Sequence, residues 1–111
     1  MEIKTEKRDS VVILSVSGRI DVNISTQLEK EVVSNIESNN INIIVDCTNL
    51  DYISSSGLRV LLLGLKKTTA LKGNFILCNL NKNIAEIFDI SGFTSIFKIC
   101  ENVEQAINSL G

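Results

Sequence analysis

INIIVDCTNLDYISSSGLRVLLLGL, residues 41–65, changes its period halfway along. Ile41 to Val45 is apolar and β-branched apart from Asn42, the pattern of a strand covered on both faces, and Asp46 is expected at its carboxyl end. Further on, Leu58, Leu61, Leu62 and Leu65 fall at i, i+3, i+4 and i+7, the stripe of an amphipathic helix. Ser54, Ser55 and Ser56 stand before that helix as capping candidates, and Lys66 and Lys67 lie near its end, where cations suit the helix dipole. Strand, loop and helix in this order make one unit of an α/β layer.

The same alternation extends in both directions. Upstream, Val11 to Val16 reads as a strand closed by a turn at Ser17-Gly18-Arg19, and residues 2–7 are expected to pair with it as an edge strand. Ile24, Leu28, Val32 and Ile36 recur every fourth residue, so 23–38 reads as a helix that Asn39 and Asn40 terminate. Downstream, Asn74 to Leu80 follows the Lys72-Gly73 turn as another strand. Ile84, Ile87 and Phe88 mark a short helix, Ile96 to Cys100 a last strand, and Val103, Ala106, Ile107 and Leu110 a closing helix. The expected fold class is α/β with a mixed sheet, order ββαβαβαβα, in a single domain over residues 1–111. Functional loops of such a layer lie at the carboxyl ends of strands, which singles out Gly18 to Asp21 and Asp46 to Gly57.

Composition removes several classes of function. There is no histidine, so Ser-His-Asp and Cys-His nucleophiles, HExxH zinc sites and histidine acid–base catalysis are excluded. Cys47, Cys78 and Cys100 are odd in number, widely spaced and set in apolar runs, and read as buried thiols of a reducing compartment with no metal role. A net charge of −2 gives no basic footprint for direct nucleic-acid contact. The charged opening from Met1 to Asp9 is no secretory signal, and no apolar run approaches the roughly 20 residues of a membrane span. A cytoplasmic protein without membrane contact is expected, and the Met1 start argues against a fragment of a transporter.

The three serines invite two readings. One hydroxyl caps the helix and the others are simply exposed, or one accepts phosphate, which in a first helical turn meets free amides and the positive end of the dipole. Neither GxGxxG nor GxxxxGK[ST] occurs, so nucleotide cofactors have no support. A serine nucleophile served by Lys66 or Lys67 is poorly placed, since those lysines lie about 15 Å down the helix. Asp21, Asp46 and Asp51 are carboxylates without a visible tuning partner; Asp46 is expected to bond loop amides and Asp21 to cap the next helix. No catalytic residue, cofactor or metal ligand is expected, and the chain is read as a binding protein rather than an enzyme.

Four segments in order, Gly18-Arg19-Ile20-Asp21, Asp46 to Leu50, Tyr52 to Leu61 and Ile87 to Phe93, resemble the successive motifs of the STAS domain in its small stand-alone form, the bacterial anti-sigma factor antagonist. The resemblance covers essentially the whole chain and implies a small mixed sheet with helices on one face. It also implies partner switching, in which the unmodified protein binds an anti-sigma factor with serine kinase activity and so releases a sigma factor to transcription. Phosphorylation of the antagonist by that kinase ends the complex, and a PP2C-type phosphatase resets it. Carried onto this chain, the phosphoacceptor is Ser55, two places before Gly57-Leu58, with Ser54 standing where the family often has aspartate and remaining the alternative acceptor. The implied partner surface takes in Asp21, Ser54, Ser56, Gly57, Leu58 and Arg59. Leu58 is either an apolar anchor with Arg59 at its rim or part of the core stripe, and Asp21 a kinase contact, a helix cap or both. The competing reading is a STAS scaffold or regulatory subunit of another signalling complex or a transporter, acting on no sigma factor.

Overall fold

The computed structural model describes residues 2–110, with the side chain of Glu2 left aside; Met1 and Gly111 of the expected domain lie outside that range. Its elements are β1 (Glu2–Arg8), β2 (Val11–Ile20), α1 (Val22–Glu37), β3 (Asn42–Ile53), α2 (Ser55–Ala70), β4 (Asn74–Cys78), α3 (Lys82–Ser91), a 3-10 turn (Phe93–Ser95), β5 (Lys98–Cys100) and α4 (Val103–Asn108). The order ββαβαβαβα holds. The five strands lie in chain order across one mixed sheet, with β1 antiparallel to β2 and the remaining pairs parallel.

That order decides where the helices go. Parallel crossovers are almost always right-handed, so a sheet that grows in one direction collects its crossover helices on one face. Val12, Leu14 and Val16 of β2, Ile43 and Val45 of β3, and Phe75 and Leu77 of β4 point to that face and meet Leu28, Val32 and Ile36 of α1, Leu58 and Leu61 of α2, and Ile84 and Phe88 of α3. The alternate residues Val11, Ile13, Ile44, Ile76 and Cys78 form a second, smaller core under Ala106 of α4. The closing helix therefore covers the opposite face, which corrects the expectation of helices on one face only: once β5 is the edge, α4 folds back over apolar residues that no crossover reaches. No helix among the described residues is long and apolar enough to cross a membrane.

Two strands run further than their apolar cores suggested. β2 continues through the expected turn at Ser17-Gly18-Arg19 to Ile20, and β3 passes Asp46 to end at Ile53, so Asp46 lies mid-strand. The pairing runs Ser15↔Asp46, Ser17↔Asn49, Gly18↔Leu50 and Arg19↔Tyr52, so β3 carries an extra residue at two points. Each bulge breaks the period of two and increases the local twist. The first is filled by Asp46, whose Oδ1 accepts from Thr48 N–H at 3.1 Å, Thr48 Oγ1 at 2.6 Å and Asn79 Nδ2 at 2.9 Å. Gly18 serves the same stretch at φ +79°, a conformation that an L side chain strains to adopt. After the second bulge Ile20 and Ile53 are register partners, and that is what brings the starts of α1 and α2 together.

Smaller differences have local causes. β4 stops at Cys78 rather than Leu80, because Asn79 turns at φ 58° to reach Asp46. β5 starts at Lys98 rather than Ile96, because Ile96 and Phe97 continue the turn that follows the 3-10 segment, and Phe93 and Phe97 meet Phe88 edge-on with ring centroids 6.3 and 5.8 Å away. The Ile87 to Phe93 motif is thus a packing element that fastens α3 to the sheet edge.

Candidate functional site

Asp21 follows Ile20, and Ser54 follows Ile53, so the two helix caps stand side by side at the carboxyl edge of the sheet, tied by Ser54 N–H donating to Ile20 O at 2.9 Å. Asp21 has extended backbone, and its Oδ1 accepts from Ile24 N–H at 3.0 Å while the residue stays exposed. Ser54 caps α2 in the same way, its Oγ accepting from Gly57 N–H at 3.2 Å. Both are N-caps, which satisfy amide donors that a helix start leaves without a carbonyl one turn back.

A third hydroxyl joins the two caps. Ser25 of α1 is buried at 3% exposure, its Oγ donates to the Asp21 carbonyl at 2.7 Å, and it lies 3.1 Å from Ser56 Oγ, which in turn lies 2.9 Å from Ser54 Oγ. With one proton per hydroxyl, the set runs one way: Gly57 N–H to Ser54, Ser54 to Ser56, Ser56 to Ser25, and Ser25 to the Asp21 carbonyl. Every hydroxyl in the chain donates once and accepts once. Ser55 is outside it. Ser55 is the first residue of α2, exposed, and engaged by no side-chain hydrogen bond among the described residues.

A family model for the STAS domain matches residues 2–106 of the chain. The protein belongs to the STAS domain family. BtrV of Bordetella bronchiseptica, a candidate anti-sigma factor antagonist, is 36% identical over 106 residues, which span 96% of this chain and 91% of BtrV. The anti-sigma F factor antagonist of Paenibacillus polymyxa is 27% identical over 111 residues, 99% of this chain and 95% of that protein. Among solved structures, the phosphorylated form of the Bacillus cell fate determinant SpoIIAA superposes with a TM-score of 0.78 at 21% identity, over 99% of this chain and all of that one, a likeness of fold.

The other expected site residues of this STAS domain divide by burial. Arg59 is exposed one turn beyond Ser55. Ser56 is half-buried within the hydroxyl chain. Gly57 is buried where α2 presses on the strand ends, and a Cβ there would lie 2.7 Å from Ile53 Cγ1 and 2.8 Å from Ile20 Cγ2. Leu58, at 9% exposure, packs in the main core with Leu61, so the structure takes the core alternative. Val22, 68% exposed beside Asp21, presents the apolar surface of the site. It lines a cleft between α1 and α2 with Ser25, Ser56, Arg59 and Leu63.

Sequence reasoning missed Ser25, Val22 and the pair formed by Arg19 and Tyr52, whose guanidinium sits 4.3 Å from the ring centroid and is held there by cation–π attraction. Arg19 and Tyr52 are cross-strand partners, so the bulges of β3 create that contact. The thiols stand apart from the site. Burial pushes the Cys78 thiol up to about 12 and holds Cys47 well above the usual thiol range, with Asp46 nearby acting in the same direction on both. Both are inert, neutral packing groups, and Cys100 is half-buried as the register partner of Cys78.

Proposed function

We propose that this STAS domain is an anti-sigma factor antagonist switched by phosphorylation of Ser55. The observation that carries the reading is the contrast among three adjacent hydroxyls: Ser54 and Ser56 are bound into the chain that ends on Asp21, and Ser55 is exposed and unbonded. A kinase engaging Ser54 would have to uncap α2 first. Kinship with two proteins named for anti-sigma factors supports the partner class.

The chain supplies no catalyst and binds no nucleic acid; its chemistry is to present a hydroxyl. Ser55 Oγ attacks the γ-phosphorus of ATP held by the partner kinase, the bond to the bridging oxygen breaks, ADP leaves, and the hydroxyl proton passes to a base of the kinase. The product carries about −1.5 to −2 charges at the start of α2. Unmodified, the edge formed by Asp21, Val22, Ser55 and Arg59 docks as a largely neutral surface. Modified, it would bury a dianion against the partner, and a penalty of about 2–4 kcal/mol weakens binding by roughly 30- to 1000-fold. A PP2C-type phosphatase reverses the step, and the cycle runs in the cytoplasm, where ATP and a transcribing polymerase are found.

Pull-down of the tagged protein from its native cell, with and without ATP, tests this when mass spectrometry reads both partners and modified serines. A small ATP-binding kinase recovered without ATP, and lost as Ser55 gains phosphate, is the expected result. Recovery of other partners with Ser55 unmodified would overturn it in favour of a scaffold in another signalling complex.

A further inference from the structure

The chain has three arginines, Arg8, Arg19 and Arg59, and one of them, Arg59, lies on the same helix as Ser55. Arg19 is already held on Tyr52. Among the described residues the ion pairs are those of Arg8 with Glu6 and Glu104, which leaves Arg59 without a carboxylate partner. Arg59 is four residues after Ser55 on α2, and both side chains are exposed. Residues at that spacing have Cβ atoms about 5–6 Å apart, and helical side chains lean toward the amino end, so the guanidinium reaches back over the first turn. Asp21, which caps the facing helix α1 through Oδ1, and Glu29, which lines the same cleft as Arg59, are both beyond ion-pair distance of it.

We propose that Arg59 receives the phosphate of modified Ser55 within the same helix, so that phosphorylation adds a dianion to the docking face and removes a cation from it at the same time. This deepens the reading given above and rests on Ser55 being the acceptor. A guanidinium offers paired N–H donors that match phosphate oxygens, and the N–H groups of Ser55 and Ser56, left without intrahelical acceptors, complete the cradle. The phosphate therefore finds its counter-ion at once, with no movement of the fold. The unmodified form keeps Arg59 free for a carboxylate of the partner.

The test places phosphoserine at position 55 during translation, so that it does not depend on any kinase, and follows the phosphate by 31P NMR across pH 4.5–8. A dianion paired to Arg59 titrates below the ordinary value near 6, and Arg59→Gln should raise its midpoint by about 0.3 pH unit or more. Arg59→Lys should restore part of the difference, and Arg19→Gln should leave it within error. Identical midpoints for the phosphorylated parent and Arg59→Gln, or an equal rise from Arg19→Gln, would overturn the assignment. Failure of the native kinase to modify Ser55 would instead sink the parent reading while leaving this midpoint difference intact.

Discussion

Ser54→Ala and Ser55→Ala delete the same atom from adjacent positions, yet they should behave differently. Ser54 Oγ receives the Gly57 N–H and lies 2.9 Å from Ser56 Oγ, so alanine there uncaps α2 and leaves the hydroxyl chain without its first link. Loss of an N-cap hydroxyl costs about 1–2 kcal/mol. An unfolding entropy of about 2.1 cal/mol/K per residue gives about 0.23 kcal/mol/K for 111 residues, so Tm should fall by about 4–9 °C. Ser55 is exposed, bonds to nothing through its side chain and begins a helix, where alanine is the better helix former, so Ser55→Ala should stay within about 0.5 kcal/mol, or about 2 °C, of the parent. Calorimetric melts of the three proteins at one pH measure this directly. Equal losses, or a larger loss for Ser55→Ala, would show that the hydroxyls are partnered differently and would remove the physical ground for choosing Ser55 as the acceptor.

Three further outcomes follow from packing and ionisation. Gly57→Ala sets a Cβ 2.7 and 2.8 Å from Ile53 and Ile20 and should lower stability by about 1–3 kcal/mol in urea unfolding; an unchanged midpoint would mean that α2 lifts freely from the strand ends. Leu58→Ala should cost about 2–5 kcal/mol as a core truncation, whereas Val22→Ser should change stability by no more than about 0.5 kcal/mol and weaken partner binding in calorimetric titration; the reverse pattern would return the apolar anchor to Leu58. Cys47 and Cys78 stay neutral in the fold, the second up to about 12, while an unfolded chain ionises its thiols from about pH 8.5. Their contribution to stability is complete below about pH 8.5 and is lost as pH rises toward the folded values, so Cys78→Ala should flatten the fall in urea midpoint between about pH 8 and 10.5 in the presence of reductant, and an equally steep fall would contradict the burial of that thiol.

The alternation of strands and helices was legible because each element buries one clean stripe or run, such as Ile43 to Val45 or Leu28, Val32 and Ile36. The ends of β2 and β3 were not, since bulges break the period of two where polar Asp46, Thr48, Asn49 and Asp51 alternate with Cys47 and Leu50, and no pattern within one strand announces which partner it bulges against. Side of sheet was equally hidden for α4, because the stripe of Val103, Ala106, Ile107 and Leu110 shows that one face is buried and not which face of the sheet it covers. Ser25 did leave a trace. It is in phase with Leu28, Val32 and Ile36 on α1, a polar residue on a buried stripe, and such a residue needs a polar partner. Val22 and Leu58 were separable only once the tilt of each helix against the strand ends was known.

The hydroxyl chain also accounts for serine at position 54, where the resemblance leads one to expect aspartate. A carboxylate cap beside Ser55 would place a fixed negative charge next to the phosphate and oppose its ionisation. A serine cap satisfies the same Gly57 amide without charge, provided that its own proton is accepted, and Ser56 and Ser25 pass that requirement on to the Asp21 carbonyl. The start of α2 thereby keeps its full positive potential for whatever anion arrives. Because Ile20 and Ile53 are register partners and each is followed directly by a helix cap, a phosphate proposed at Ser55 would meet two helix starts already held side by side. Under the proposed function, a change of charge at one exposed oxygen, read against Arg59 and the partner, is sufficient to run the switch, and the hydrogen bonds of buried Ser25 tie the two helix caps together from outside the recognised motifs.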